Sequence, residues 1–231
     1  MSRITRKELK TDKFALEVEH TVSLFEEHRQ EIIRYGGIAA VVVALIVGYT
    51  IYARSQHAVR EQALAHAIEV QEAPVGQSGS GGMSFPTQEA KDAEATKVFG
   101  DLKNKYSGSS EGQIASYYLA SIQADQGNMA QAEKSFQDVA QHADAGYASL
   151  AKIALAQIYF SDGRNQQGEA ILHDLMAHPT AFVSTDMATI TLAKHYTAVK
   201  NTAEAKKLLE PLRSKPGVGQ VAITMLGELQ N

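Results

Sequence analysis

The residues from which catalysis or metal binding would have to be built are few and scattered. Of the eight histidines, His173 and His178 form the only near pair in the C-terminal half. Their spacing is five, whereas a spacing of four places two ligands on one helical face. No His-Glu-x-x-His or Gly-x-Ser-x-Gly occurs, and no pair of carboxylates stands apart from the charged faces. Gly81-Gly82-Met83 ends a glycine-rich stretch without the Lys and Ser/Thr that a phosphate-binding loop needs. Cysteine is absent, which removes thiol catalysis, thiolate metal sites and disulfides. A nucleophile, a base and an oxyanion donor cannot be assembled from named residues. The expectation is a non-enzymatic protein with no metal, no cofactor and no small-molecule substrate.

The elements available to such a protein are helical. Aromatic residues make up 7% of the 231 positions, Trp is absent and only five prolines occur, while Ala, Gln, Leu and Glu recur throughout. From Arg54 onward, 15 Lys and Arg face 19 Asp and Glu. That balance leaves no basic face to neutralise phosphates, so nucleic acid is not an expected partner.

One stretch departs from this polar character. Residues 36–53, GGIAAVVVALIVGYTIYA, carry no charge and are bracketed by Arg34 and Arg54. As a helix they rise about 27 Å, close to the roughly 30 Å hydrocarbon core of a bilayer. A core helix would show a polar face every three to four residues, and none exists between Gly36 and Val47. A cleaved secretory signal would have a short basic start and a small-x-small site; here 35 residues precede the run and Tyr-Ala-Arg-Ser-Gln follows it. The segment therefore reads as an uncleaved single-pass anchor, with Tyr35, Tyr49 and Tyr52 at headgroup depth. Close to its ends the positive residues balance. The tail adds Arg3, Arg6, Lys7, Lys10 and Lys13, whereas after Arg60 none follows before Lys91. This places residues 1–35 in the cytoplasm and the C-terminal part outside. Gly36, Ala40, Ala44 and Gly48 form a small-residue stripe on which another membrane helix can pack.

Before the span, Phe14, Val18, Val22, Phe25, Ile32 and Ile33 fall near helical spacing, as in a short amphipathic helix. After it, Val59, Ala63, Ala67 and Val70 continue a helical pattern to Gln71. Residues 73–86 are rich in Gly, Ser and Pro and read as a flexible loop, so residues 54–86 form a helix and a loop ahead of a repeat domain at 87–231.

Within that domain three stretches align: SYYLASIQADQGNMAQAEKSF from Ser116, KIALAQIYFSDGRNQQGEAIL from Lys152 and TITLAKHYTAVKNTAEAKKLL from Thr189. Leu119, Leu155 and Leu192 correspond, then Ala120, Ala156 and Ala193, then Ala132, Gly168 and Ala205, then Phe136, Leu172 and Leu209. Small residues at two fixed places are expected where paired helices cross, and the bulky ones fill the space between hairpins. The period of 36 and then 37 residues resembles the tetratricopeptide repeat, running slightly longer than its usual length. The expected fold is all-α: one N-terminal transmembrane helix and a tetratricopeptide-like α-solenoid. Residues 87–106 precede the hairpins, and residues 218–229 close the stack. The first helices would line a partner-binding groove with Tyr117, Ser121, Asp125, Ile153, Gln157, Phe160, Ile190, Lys194 and Thr197.

The whole arrangement, and in particular ASYYLASIQADQGNMAQAEKSFQDV and KIALAQIYFSDGRNQQGEAILHDL, resembles the bacterial YfgM family. The fit lies in Ala115, Leu119, Ala120, Ala132, Ala154, Leu155 and Ala156. The resemblance implies a non-enzymatic inner-membrane protein facing the periplasm, an ancillary subunit of the SecYEG translocon. It also implies cooperation with a PpiD-like periplasmic chaperone in handing over exported chains. The longer tail and the Gly/Ser loop depart from the family. An adaptor subunit of another envelope complex, serving the cell wall or outer membrane, would share the same architecture.

Overall fold

Helix ends are written locally in this chain, and they divide it into hairpins. A computed structural model describes residues 29–76 and 82–229. Thr87, Ser109, Asp144 and Ser184 each accept a hydrogen bond from a backbone N–H in the following turn. Such caps satisfy donors that a helix leaves open at its start. The helices are α1 (Arg29–Glu72), α2 (Gln88–Lys105), α3 (Ser110–Asp125), α4 (Met129–His142) and α5 (Ala145–Ser161). They continue with α6 (Asn165–Ala177), α7 (Thr185–Ala198), α8 (Thr202–Leu209) and α9 (Gly219–Glu228), a 3₁₀ turn at Glu210–Leu212 following α8. Among the described residues there is no strand, only an isolated bridge between Val75 and Phe85. The three aligned stretches are the hairpins α3–α4, α5–α6 and α7–α8, as their spacing predicts.

The three hairpin turns repeat one hydrogen-bond pattern. Asn128 N donates to Gln123 O at 2.8 Å, Arg164 N to Tyr159 O at 2.7 Å and Asn201 N to Tyr196 O at 2.8 Å. The residue before each is left-handed: Gly127 at φ 81°, Gly163 at φ 74° and Lys200 at φ 60°. This is the Schellman ending, which favours glycine because a Cβ is strained there. Lys200 is the one departure. Lys200→Gly is expected to raise stability by about 1 kcal/mol, and Gly163→Ala to lower it by about as much, in denaturant titrations. Equal midpoints for Lys200→Gly and the parent would show that the third turn is not strained.

The chain divides into two units, residues 1–59 and residues 60–231. In the first, α1 contains an 18-residue window of mean hydropathy 2.0, none of it buried, and is long and apolar enough to cross a membrane. Among the described residues, apart from its own helix backbone, nothing lies within 4 Å of a Cβ built on Gly36 or Gly48. The amphipathic stretch expected from Phe14 to Phe25 lies outside the described residues, as does the side chain of Ile32.

In the second unit the core is a row of four clusters. Ala67 and Val70, at the end of α1, are fully buried with Ala95, Phe99 and Ala115. Arg60 Nε donates to Oε2 of the buried Glu111 at 3.1 Å, holding α1 to the first turn of α3. The next cluster joins Ala120, Ala132 and Phe136 of one hairpin to Leu155 of the next. The third repeats this with Ala156, Leu172 and Leu192, and the fourth with Ala193 and Leu209 against Ala222 of α9. The small residues sit where the helices of one hairpin cross, and each following leucine seals the cluster behind it. The loop after α1 is less free than its composition suggests. Phe85 N donates to Pro74 O at 3.0 Å and Gly76 N to Phe85 O at 2.9 Å, while Met83 and Phe85 pack on the first cluster. Residues 77–81 lie outside the described residues.

Candidate functional site

The first helices of successive hairpins, α3, α5 and α7, carry equivalent residues on one side: Ser121, Gln157 and Lys194 in one row, Asp125, Ser161 and Ala198 in the next. Two clefts open along this side. The first, of about 350 Å³, lies between Tyr117, Ser121 and Asp125 of α3 and Gln157 and Ser161 of α5, with Met129 and Phe136 of α4 contributing apolar surface. The second, of about 420 Å³, lies between Gln157, Phe160 and Ser161 of α5 and Lys194, His195 and Val199 of α7 and its end. Gln157 and Ser161 line both, so the clefts are adjacent and share a wall.

Aromatic packing and burial shape the walls. Phe160 stacks face to face on His195, centroids 3.7 Å apart. Burial pushes the His195 imidazole below its ordinary pKa, partly opposed by Glu169, whose Oε1 lies 3.8 Å from Nε2. The ring is therefore neutral at pH 7. Tyr117 stands edge-on to Phe136 and Tyr147, and burial raises the pKa of its hydroxyl. Tyr147 is pushed up to about 12, first by burial and then by the nearby Tyr118. Both phenols are protonated at neutral pH.

A charged network ties the first hairpin to the second. Arg164 donates to both oxygens of Glu133, at 2.8 and 2.7 Å, and to Asp162 at 2.6 Å, and its guanidinium lies 4.3 Å from the Tyr159 ring centre. Gln137 bridges Glu133 and the Tyr159 hydroxyl. The Arg164 hydrogen bonds hold Glu133 below its ordinary value of 4.5. A carboxylate depressed in the folded state adds stability that is full above the unfolded pKa and lost as pH falls through the folded one. The stability difference between the parent chain and Glu133→Gln is therefore expected to be present above pH 4.5 and to shrink at lower pH. Melting curves across that window measure it; a difference constant with pH would sever the network from stability.

Of the residues expected on the groove, Tyr117, Ser121, Asp125, Gln157, Phe160 and Lys194 converge on the two clefts. Ile153 does not: it is 7% exposed and belongs to the third core cluster, with Leu172 and Leu192. Ile190 packs against the fourth cluster. Thr197 Oγ1 donates to Ala193 O of its own helix at 2.9 Å and lines neither cleft. Position 117 accommodates a tyrosine that reaches the cleft, whereas the isoleucines at the equivalent positions are absorbed by neighbouring hairpins. Ser161 and Val199 were missed, although Ser161 follows Gln157 by four residues and shares its face. Met129 and Phe136 come from a second helix, and no pattern in the first helices points to them.

Among the described residues no three His, Asp or Glu side chains gather as metal ligands. A row of helical hairpins that turns two adjacent clefts outward along its first helices defines an α-solenoid scaffold for protein–protein interaction. The chain belongs to the tetratricopeptide repeat-like domain family, whose model matches residues 30–184, from the start of the long apolar helix to the end of the second hairpin. The third hairpin lies beyond the match and continues the same period. No curated protein and no solved structure matches the chain.

Proposed function

We propose that this protein is a membrane-anchored, non-enzymatic scaffold that receives protein partners on the two-cleft side of its repeats. The observation that carries this reading is the pair of adjacent clefts built from equivalent positions of α3, α5 and α7. The apolar segment at 36–53 serves as the anchor, with residues 1–35 cytoplasmic and residues 54–86 linking it to the repeats at 87–231. The station we propose is the periplasmic face of the inner membrane beside the SecYEG translocon. There the repeats, with a PpiD-like chaperone, assist the handover of exported chains. The YfgM resemblance and the excess of positive residues in the tail support that placement. The stripe of Gly36, Ala40, Ala44 and Gly48 offers the anchor a route of close approach to other membrane helices.

Photo-crosslinkers at Gln157 and Lys194 in living cells, followed by purification in mild detergent, test this directly. The expected adducts are translocon or chaperone subunits, and protease added to intact spheroplasts should digest the repeats. Adducts with cell-wall or outer-membrane assembly proteins would instead assign the scaffold to another envelope complex. Repeats protected in spheroplasts would reverse the orientation.

A further inference from the structure

The joint between the first and second hairpins and the joint between the second and third use the same positions with different chemistry. In the first joint Arg164, a permanent cation, holds Glu133, and Gln137 bridges Glu133 to the Tyr159 hydroxyl. One repeat on, the equivalents of Glu133, Arg164, Gln137 and Tyr159 are Glu169, Asn201, His173 and Tyr196, so the arginine is missing. A second exchange lies in the core. Ile122 and Ile158 are buried in the first and second clusters, and the residue at their position in α7 is His195, equally buried but titratable.

The surroundings of His195 suit only its neutral form. Its ring is stacked on Phe160 of α5 and tilted against Tyr196, with centroids 3.7 and 5.7 Å away. Among the described residues it makes no hydrogen bond, and Oε1 of Glu169, 3.8 Å from Nε2, is beyond hydrogen-bond reach. From α5 the lining receives Gln157, Phe160 and Ser161, none of them titratable. From α6 comes Glu169, with the exposed His173 one turn further on. From α8 comes Glu204, whose charge reaches the Tyr196 hydroxyl, and α7 itself contributes Lys194. The attraction of the Phe160 face for an imidazolium is small beside the cost of burying a charge without a partner. We infer that the second joint is operated by a proton: with His195 neutral the third hairpin is docked and the second cleft intact, and on protonation of His195 α7 parts from Phe160 and the cleft opens. This rests on the scaffold reading above and adds to it the regulation of one of the two clefts.

The two joints yield in different pH ranges. Burial depresses the His195 value below 6.5, so the stability it contributes is full above 6.5 and is lost as pH falls through the folded value. The Arg164 pair of the first joint keeps its contribution until pH falls below 4.5. Between those limits the second joint loosens while the first holds.

The test is hydrogen exchange on the full-length protein in nonionic detergent, corrected for the intrinsic rate. From about pH 7.5 to about pH 5.5, protection in α7 and α8 should fall about fivefold relative to α3 and α4. His195→Ile, which installs the residue of the other two repeats, should remove that fall, whereas His173→Gln should leave it in place. Glu169→Gln should deepen it, because the carboxylate facing the imidazole is lost. A gain of protection in acid that Glu169→Gln abolishes would mean that the imidazolium pairs with Glu169 and tightens the joint, which overturns the inference. An acid response shared equally by the parent and His195→Ile would overturn it too. Should His195→Ile fail to fold, NMR of the parent chain with 13C-labelled histidine decides. One imidazole of the eight that stays neutral well below 6.5 supports the inference, and eight ordinary titrations overturn it. Crosslinking from Lys194 separates this inference from the scaffold reading. Adducts without an acid response keep the scaffold and remove the proton switch; an acid response without adducts keeps the switch and removes the scaffold.

Discussion

Leu192→Ala is expected to lower stability by about 3 kcal/mol, the range found when a fully buried leucine is truncated in a core that cannot collapse around the gap. Leu192 has no exposed surface and sits among Ile153, Ala156, Leu172, Leu175, Val183 and Ala188, drawn from α5, α6 and α7 and the chain between. Its equivalent Leu119 is only partly buried, at the edge of the first cluster, so Leu119→Ala should cost less. The four clusters lie in series, and in such arrays stability is a sum over neighbouring units. Hydrogen exchange on the Leu192→Ala protein should therefore show α7, α8 and α9 opening before α3 and α4. The second cleft would be lost with them and the first retained. Uniform loss of protection across all the helices would show that the repeats unfold as one unit, against the serial core described here.

Gly168→Ala is expected to destabilise by about 2 kcal/mol, reversing the usual gain from replacing a glycine within a helix. A Cβ at Gly168 would lie 2.5 Å from Cε1 of Phe160, and that ring is also stacked on His195. The neighbouring repeats solve the same crossing differently, with Ala124 opposite Ala132 and Thr197 opposite Ala205, a small residue in place of the phenylalanine. Phe160→Thr in the Gly168→Ala background should then recover most of the loss, a coupling that a double-mutant cycle measures. Gly100, in α2, is the control: among the described residues, its own helix backbone aside, nothing lies within 4 Å of its built Cβ, and Gly100→Ala should stabilise by about 1 kcal/mol. If Gly168→Ala also stabilises, the Phe160 ring is free to move and the second cleft has a mobile wall. Because Phe160 forms that wall, the same exchange links the packing of the second hairpin to the shape of the candidate site.

Much of this architecture is legible in the order of the residues. The hairpins follow from a repeat of 36 and 37 residues. The structure adds the caps at Ser109, Asp144 and Ser184 and the left-handed Gly127 and Gly163, which the repeat comparison does not single out. Each of these signals acts over a few residues, through helical periodicity, capping or backbone conformation, so it is carried by the order of residues alone. The apolar, uncharged run at 36–53 belongs to the same kind, since the length and composition of one segment decide whether it is long enough to cross a bilayer. Family membership follows from the same repeats and extends back through α1.

The site was only partly readable, for a physical reason. Ile153 and Gln157 are four residues apart on one helix and share a face by periodicity, yet Ile153 is 7% exposed in the core while Gln157 is exposed between two clefts. Which part of that face stays open depends on how the next hairpin covers it, and that is set by side-chain volumes on other helices, Leu172, Val183 and Leu192 among them. The same holds for Phe136, which reaches a cleft from a second helix, and for Phe160, whose ring is placed by the absence of a side chain at Gly168. Sequence alone determined the helices, their pairing and the apolar segment, because those are local. Tertiary packing decided which charges are left without a partner, because pairing is settled between residues such as Glu133 and Arg164, 31 positions apart, and Asp125 and Lys194 find no such partner among the described residues.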